Sequence, residues 1–306
     1  MDRRDECARY AQAAQLLPLR WQRRADQLSD DKKAAAEEFR LRAGQPVTVL
    51  LPDGEMELPG GGKDIVTSGD LEQMCDKISE YSRYAVTETL RHGYLSAEGG
   101  FRIGICGTVV MDRGMNTNLR NISSMAVRLS RQIPDIGVKL IGQFIADGQM
   151  ANTLILSPPG QGKTTLLRDL IRLLSDGTNS AAPMRLAVVD ERGEIAAMQK
   201  GMAQMDVGSH TDVLDGCPKA IAIPMLLRSC NPQVIAVDEI TAQEDLEAMV
   251  AAANCGVCLL ATIHARDREE LRSKPLFSRL LDLKIFQKAI TIERDGGTWN
   301  YLVEDL

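Results

Sequence analysis

The segment from Thr153 to Thr164 constrains the fold of this chain more than any other. It begins as a short apolar run, continues as a glycine-bearing turn, and ends with Lys163 and Thr164 at the start of a helical segment. A strand that leads into such a turn places backbone N–H groups around a polyphosphate, and the N-terminal end of the following helix adds to the positive field. The pattern therefore predicts a phosphate-binding loop between a strand and a helix.

Individual residues of this loop have distinct predicted roles. Gly160 and Gly162 let the backbone approach a ligand closely, and Lys163 is expected to reach the β- and γ-phosphates. The hydroxyl of Thr164 is expected to bind Mg²⁺. The pattern Gly-x-x-x-x-Gly-Lys-[Ser/Thr] is met except at its first position, where Ser157 replaces glycine and the two following prolines are expected to stiffen the turn. The predicted nucleotide-binding residues are Ser157, Pro158, Pro159, Gly160, Gln161, Gly162, Lys163, Thr164 and Thr165.

Acidic pairs follow two later apolar runs. Asp238 and Glu239 follow Val234–Val237, and Asp190 and Glu191 follow an earlier run. The carboxyl ends of parallel strands meet at one edge of a sheet, so both pairs are expected to face the phosphate loop. Asp238 is predicted to hold Mg²⁺, and Glu239 is predicted to orient or deprotonate the attacking water. The residues alone leave open whether Glu239 or the Asp190 and Glu191 pair activates that water.

A histidine and several arginines complete the candidate site. His264 ends a third apolar run, where an imidazole can sense the γ-phosphate or position water, and a purely structural role at the strand end is an equally good interpretation. Phosphoryl transfer also profits from an arginine that neutralises developing charge, which a neighbouring subunit supplies in many ring assemblies. Arg128 and Arg131 are the predicted catalytic arginines. Arg102 and Arg228 are further candidates, and each of the four has a surface or interdomain ion pair as its alternative role.

Length and composition fit a globular protein of two domains. The chain has 306 residues, of which 44% are hydrophobic and 25% are charged. Its net charge of −6 disfavours extended wrapping by nucleic acid. The seven cysteines are scattered, which fits reduced thiols, and the most apolar stretch is too short to cross a bilayer. We therefore expect a cytosolic protein without a transmembrane segment.

The order of the predicted elements indicates a small α+β domain followed by an α/β domain. Before the phosphate loop, short strands accompany a predicted helix from Asp70 to Thr89 and a glycine-containing hairpin within Gly93–Ile105. The boundary is placed near residue 134, which gives domains of residues 1–134 and 135–306. Beyond it, apolar runs alternate with helical segments, the pattern of a parallel sheet that is buried on both faces. The predicted fold class is therefore α/β, with a smaller α+β domain at the N-terminus.

These motifs together resemble the secretion ATPase superfamily, the motors of type II and type IV secretion, and within it the stage III sporulation AA family. Four short segments carry the resemblance to the superfamily: Ser157–Thr164, Asp190 with Glu191, Asp238 with Glu239, and Thr262–Ala265. The resemblance to the sporulation family depends on two longer and less common segments, Thr211–Lys219 and Arg228–Ile235.

The resemblance implies a RecA-like core that hydrolyses ATP with Mg²⁺ and assembles into a hexameric ring, with the N-terminal domain serving assembly or partner docking. It also implies action in the mother cell of an endospore-forming bacterium, peripheral to the membrane on the cytoplasmic side of a membrane-embedded channel to the forespore. Two alternatives stay open. One is a nucleotide-gated scaffold with little turnover, and the other is a nucleic-acid-associated P-loop ATPase, although the sequence has no recognisable nucleic-acid-binding module.

Overall fold

The chain forms two compact units. The computed structural model describes residues 3–60, 64–78, 93–112, 115–146, 148–295 and 298–306. One unit comprises Met1–Arg131 with Gln199–Gln204, and the other comprises Gln132–Met198 with Met205–Leu306.

The first unit contains an antiparallel sheet and four described helices. Three helices precede the first strand in the chain, and the fourth lies between two strands. Its helices are α1 (Arg3–Ala14), α2 (Leu19–Ala25), α3 (Asp30–Ala35) and α4 (Ser68–Ile78). Its strands are β1 (Glu38–Arg42), β2 (Thr48–Leu51), β3 (Gly54–Glu57), β4 (Tyr94–Ala97), β5 (Phe101–Asp112) and β6 (Met115–Arg128). The six strands lie in the order β3-β2-β1-β6-β5-β4. Large apolar side chains from the helices and the sheet, among them Tyr10, Trp21, Phe39 and Phe101, form one core.

Several local expectations for this unit can be compared with the structure. The glycine hairpin is confirmed, since Ala97 pairs with Phe101 across a turn that contains Gly99 and Gly100. The predicted helix from Asp70 begins at Ser68, and the part of that prediction beyond Ile78 lies outside the described residues. The strand β6 begins as early as Met115, because its N-terminal half pairs with the long β5.

The second unit contains a mostly parallel sheet flanked by helices. Its strands are β7 (Ile145–Ala146), β8 (Gln149–Met150), β9 (Thr153–Ser157), β10 (Leu186–Asp190), β11 (Thr211–Asp215), β12 (Val234–Val237), β13 (Cys258–His264), β14 (Lys288–Asp295) and β15 (Thr298–Asp305). Its helices are α5 (Val138–Phe144), α6 (Lys163–Asp176), α7 (Lys219–Ser229), α8 (Gln243–Asn254), α9 (Arg268–Ser273) and α10 (Pro275–Asp282). Seven strands form the main sheet in the order β11-β10-β12-β13-β9-β14-β15.

This sheet is covered on both faces, as its sequence pattern predicts. All neighbouring strands are parallel except β14 and β15, which form an antiparallel hairpin at one edge. Alternate side chains of β9 enter different cores: Ile155 packs with residues of α6, whereas Leu154 and Leu156 pack with residues of α7 and α8. Burial on both faces stabilises these strands, since each fully buried aliphatic side chain contributes about 1.5–3 kcal/mol. The predicted α/β fold is therefore confirmed, and the carboxyl ends of β9, β10, β12 and β13 share one edge.

Helix length and apolarity bear on the question of membrane insertion. Among the described residues, every helix is too short or too polar to span a bilayer.

Candidate functional site

The turn between β9 and α6 has the backbone geometry of a phosphate-binding loop. Gly160 has a φ of 74° and Gly162, the residue before the first turn of α6, has a φ of 88°. These left-handed conformations are costly for residues with a Cβ, so the backbone at both positions favours glycine. Ser157, the residue that departs from the sequence pattern, is fully buried at the end of β9 and does not adopt a positive φ. Its backbone conformation therefore does not require glycine.

Lys163 joins this loop to the neighbouring strand. Its Nζ donates to the carbonyl oxygens of Ser157 and Pro158, each at 2.9 Å, and lies 2.8 Å from Nδ1 of His264. Burial lowers the pKa of this ammonium, and the negative charges of Asp238 and Glu239 counteract part of that effect. The lysine thus lies where its three donors reach both the loop and the end of β13.

Hydroxyl groups from two elements converge on Asp238, directly after β12. Oγ1 of Thr164 donates to Oδ2 of Asp238 at 2.7 Å, and Oγ1 of Thr262 donates to Oδ1 of the same carboxylate. A carboxylate beside a hydroxyl is a donor set of hard oxygens, which suits Mg²⁺. Within the described part of the chain there is no cluster of three or more His, Cys, Asp or Glu side chains that could hold a metal. This small set of oxygen donors fits an ion that takes most of its ligands from water and phosphate.

Glu239 combines a strained backbone with a well-connected side chain. Its φ is 52°, in the left-handed region, and its N–H donates to Oγ1 of Thr262 at 2.8 Å. Its carboxylate contacts Nη1 of Arg192 through one oxygen and Nε2 of His264, at 2.7 Å, through the other. Burial raises the pKa of Glu239, but the charge of Arg192 and the bond to His264 outweigh it, so that the pKa lies below its ordinary value. The carboxylate is therefore ionised at neutral pH.

The hydrogen bonds of His264 fix its tautomer. An ammonium group can only donate, so Nδ1 of His264 accepts from Lys163. The ring proton then lies on Nε2, which donates to Glu239. His264 thereby links the lysine of the phosphate loop to the predicted catalytic carboxylate.

The carboxylate of Asp190 is used within its own loop. Asp190 is 2% exposed, and its two oxygens accept four backbone N–H bonds at 2.8–3.1 Å. The donors are the N–H groups of Glu194, Ile195, Ala196 and Ala197. Both oxygens of this carboxylate therefore hold the loop that follows β10.

Glu191, like Asp190, contacts a partner other than the residues around Asp238. Its carboxylate pairs with Nζ of Lys219, at the start of α7, a side chain that is only 4% exposed. Thr262 contacts both Asp238 and Glu239 and so joins two sets of contacts into one connected group, which contains Lys163, Thr164, Asp238, Glu239, Thr262 and His264. Asp190 and Glu191 bond elsewhere at the same sheet edge.

The two predicted catalytic arginines belong to the first unit and differ in their contacts. Arg131 donates through Nη2 to the carbonyl oxygens of Ala34 and Ala36, so its guanidinium stabilises its own unit. Arg128 has a side chain that is 63% exposed and lies 3.7 Å from a carboxylate oxygen of Glu38. Of the two, Arg128 is the more accessible to another molecule.

Sequence reasoning assigned no role to three residues that organise the site. Thr262 contacts both Asp238 and Glu239, Arg192 contacts Glu239, and Arg168 donates to the carbonyl oxygens of the Asp190 loop. Thr262 had a detectable signal, because side chains two positions apart on a strand share one face and His264 was already a candidate. Arg168 had none, since a lone arginine in a helix is ordinarily a surface residue.

Comparison with known proteins identifies the family of this chain. The family model described as "Sporulation stage III, protein AA" matches residues 8–301. The chain belongs to this family. It is 34% identical over 284 residues to the stage III sporulation protein AA of Bacillus subtilis (strain 168), covering 93% of this chain and 91% of that protein. It is also 26% identical over 187 residues to the uncharacterized protein ycf45 of Cyanidium caldarium, covering 59% of this chain and 52% of that protein.

Solved structures share the fold. The ATPase DotB of Legionella pneumophila aligns with a TM-score of 0.54 at 16% identity, covering 84% of this chain and 72% of that chain. The pilus retraction motor PilT, solved with bound ADP, aligns with a TM-score of 0.57 at 18% identity, covering 89% of this chain and 79% of that chain. The sporulation family and the fold of secretion ATPases, both expected from the sequence, are thus confirmed.

Proposed function

We propose that the protein is a Mg²⁺-dependent ATPase that acts as a secretion-type motor in endospore formation. The observation that most supports this function is the 2.7 Å bond between Thr164 and Asp238, beside the glycine loop and Lys163. It brings together the hydroxyl and the carboxylate that a nucleotide-bound cation needs, from elements that are far apart in sequence.

Binding of ATP would use groups that contacts within the site hold in place. The N–H groups of residues 160–164 would surround the phosphates, and Lys163 would exchange the carbonyl oxygens of Ser157 and Pro158 for phosphate oxygens. Thr164 and Asp238 would hold Mg²⁺, which neutralises charge on the phosphates when it is bound. Thr262 keeps the Asp238 carboxylate in place for this role.

Hydrolysis would depend on Glu239. Its ionised carboxylate would accept a hydrogen bond from water and so align that water with the γ-phosphate. His264 and Arg192 hold the two oxygens of Glu239, which restricts its rotation. Arg128, as the exposed candidate, would supply positive charge to a neighbouring subunit's site.

The biological part of the proposal depends on family membership. A protein of the sporulation stage III AA family with this fold is proposed to energise a channel complex between mother cell and forespore. We further propose a hexameric ring, cytoplasmic and peripheral to the membrane through channel proteins, in which residues 1–134 serve assembly or docking. Residues 135–306 would then be the ATPase domain.

Steady-state ATP hydrolysis, measured against protein concentration with Mg²⁺ present, tests the proposal. Specific activity is expected to rise with concentration, because each site is completed by another subunit. Lys163→Ala and Glu239→Gln are expected to abolish turnover, whereas Glu239→Gln should still bind ATP. Lys139→Ala and Glu304→Gln change exposed residues of the same types and serve as matched controls.

Other outcomes would favour other functions. Undiminished turnover in Lys163→Ala would refute an ATPase at this site. Nucleotide-dependent assembly without phosphate release would support the scaffold, and salt-sensitive binding of single-stranded RNA would support the nucleic-acid-associated ATPase.

A further inference from the structure

The order of strands gives the phosphate loop two chemically different sides. The loop follows β9, whose neighbours in the sheet are β13 on one side and β14 on the other. Asp238, Glu239 and His264 lie at or directly after the ends of β12 and β13, on the first side. The hairpin of β14 and β15 lies on the second side and carries none of the residues assigned to hydrolysis.

This hairpin extends past the end of β9 to the level of the loop. Thr291 of β14 pairs with Leu156 of β9, and β14 then continues to Asp295. Trp299 of β15 pairs with Arg294, three residues beyond Thr291, and this distance along a strand is about 10 Å. Residues 296 and 297, between these two strands in the chain, lie outside the described residues. Trp299 is thus level with the residues of the loop that follow Ser157.

The side chain of Trp299 lies against the phosphate loop. A Cβ built on Gly162 would lie 3.7 Å from Nε1 of Trp299, which is van der Waals distance. Along β15, Trp299 shares a face with Tyr301 and Val303, which pack against the same core as α6. The indole therefore lies on the α6 side of the sheet, beside the first turn of that helix. It is still 42% exposed.

We propose that the indole of Trp299 stacks on the purine ring of a nucleotide whose phosphates occupy the loop. The proposal rests on the proposed function, which directs the γ-phosphate towards Asp238 and Glu239. The opposite end of the nucleotide then points away from β12 and β13, towards the hairpin with Trp299. Stacking uses the face of the ring and reads no base edge, so adenine and guanine nucleotides would both profit from it.

The chain allows this contact to be observed directly, because it has two tryptophans. Trp21 is buried in the first unit, so Trp21→Phe leaves Trp299 as the single indole reporter. In that variant, ADP with Mg²⁺ is expected to quench the fluorescence, since a stacked base quenches indole emission. Inorganic tripolyphosphate is expected to bind without quenching, because it fills the loop and has no base.

Affinities measured by calorimetry complete the test. Trp299→Ala is expected to weaken ADP binding roughly fivefold to tenfold, as loss of one base–aromatic stack does at a partly exposed site. Its affinity for tripolyphosphate should stay at the parent value, and Trp299→Phe should recover most of the ADP affinity. Leu302→Ala, which removes an exposed apolar side chain from the other face of β15, should change neither.

The results separate this proposal from the proposed function. Parent-like ADP affinity in Trp299→Ala, or equal quenching by ADP and tripolyphosphate, would overturn the stacking contact and leave the nucleotide site standing. A parent protein that bound neither ligand would overturn the proposed function and the stacking contact together.

Discussion

Substitution of Asp190 by asparagine is expected to destabilise the second unit strongly. Each oxygen of Asp190 accepts two backbone N–H bonds, one from the pair Glu194 and Ile195 and the other from the pair Ala196 and Ala197. Asparagine keeps the shape but replaces one oxygen with an NH₂ donor, so in either rotamer one buried and one part-buried N–H group lose their acceptor. Hydrogen bonds to a charged group contribute about 1.5–3 kcal/mol each, so the loss of two lowers the free energy of unfolding by roughly 3–6 kcal/mol.

Loss of the negative charge of Asp190 is expected to lower the free energy of unfolding further. The guanidinium of Arg168 is buried and donates to the carbonyl oxygens of Glu194 and Ile195, the same loop that Asp190 holds. Burial lowers the pKa of Arg168, and the negative charges of Asp190 and Asp238 counteract that effect. Without the Asp190 charge, the free-energy cost of keeping this guanidinium buried rises. Removal of one charged partner leaves a buried charge uncompensated, which is strongly destabilising.

Urea unfolding followed through Trp299 fluorescence in the Trp21→Phe background measures this loss for the second unit. Hydrogen exchange of the peptide covering residues 191–198 should show faster exchange in Asp190→Asn at the amides that the carboxylate held. Asp212→Asn, the same change at an exposed position of β11, is the matched control and should stay within about 0.5 kcal/mol. A stability loss below about 1 kcal/mol, together with unchanged exchange, would refute this structural role for Asp190.

Three further substitutions separate effects within the second unit. Arg192→Ala removes the cation that lowers the pKa of Glu239, so the acid limb of the ATPase pH profile should move to higher pH; an unmoved limb would exclude this coupling. Ser157→Gly should change nucleotide affinity by less than about threefold in a binding titration, because Ser157 has no positive φ to relieve. Gly208→Ala should lower the free energy of unfolding, measured in urea, by about 2–4 kcal/mol, because a Cβ at Gly208 would lie 2.4 Å from an α6 side chain. Gly216→Ala should lower it by only about 1–2 kcal/mol, because Gly216 also has a positive φ but no atom close to the added Cβ.

Local sequence signals predicted the part of the fold that depends on local contacts. The strand β12 has the predicted bounds, because its four residues are apolar and buried on both faces. The segment from β9 through the loop to α6 follows in the predicted order, since glycine conformation and an apolar run are both visible in the sequence. In the first unit, three separate helices precede β1, and Pro18 directly precedes the second of them, α2.

Features that depend on distant pairing could not be predicted. The edge strand β11 is only partly buried and has no continuous apolar run, so its sequence lacks a clear strand pattern. Its position comes from parallel pairing with β10, in which Asp215 lies opposite Asp190. The sequence also placed Asp190 correctly at a strand end without indicating where its carboxylate would point. That direction is decided by the backbone of residues 194–197, where Ala197 has a φ of 50°.

The end of β13 connects the parts of the site that sequence reasoning treated separately. Thr262 and His264 alternate with buried Ile263, so both face the same way along the strand. Thr262 contacts the metal-binding candidate Asp238 and the backbone of Glu239, and His264 contacts the Glu239 side chain and Lys163. If Lys163 moves to a phosphate, His264 loses the donor at Nδ1 while it still holds Glu239 through Nε2. Two routes therefore connect the phosphate loop to the predicted water-positioning residue. One runs from Lys163 through His264, and the other runs from Thr164 through Asp238 and Thr262.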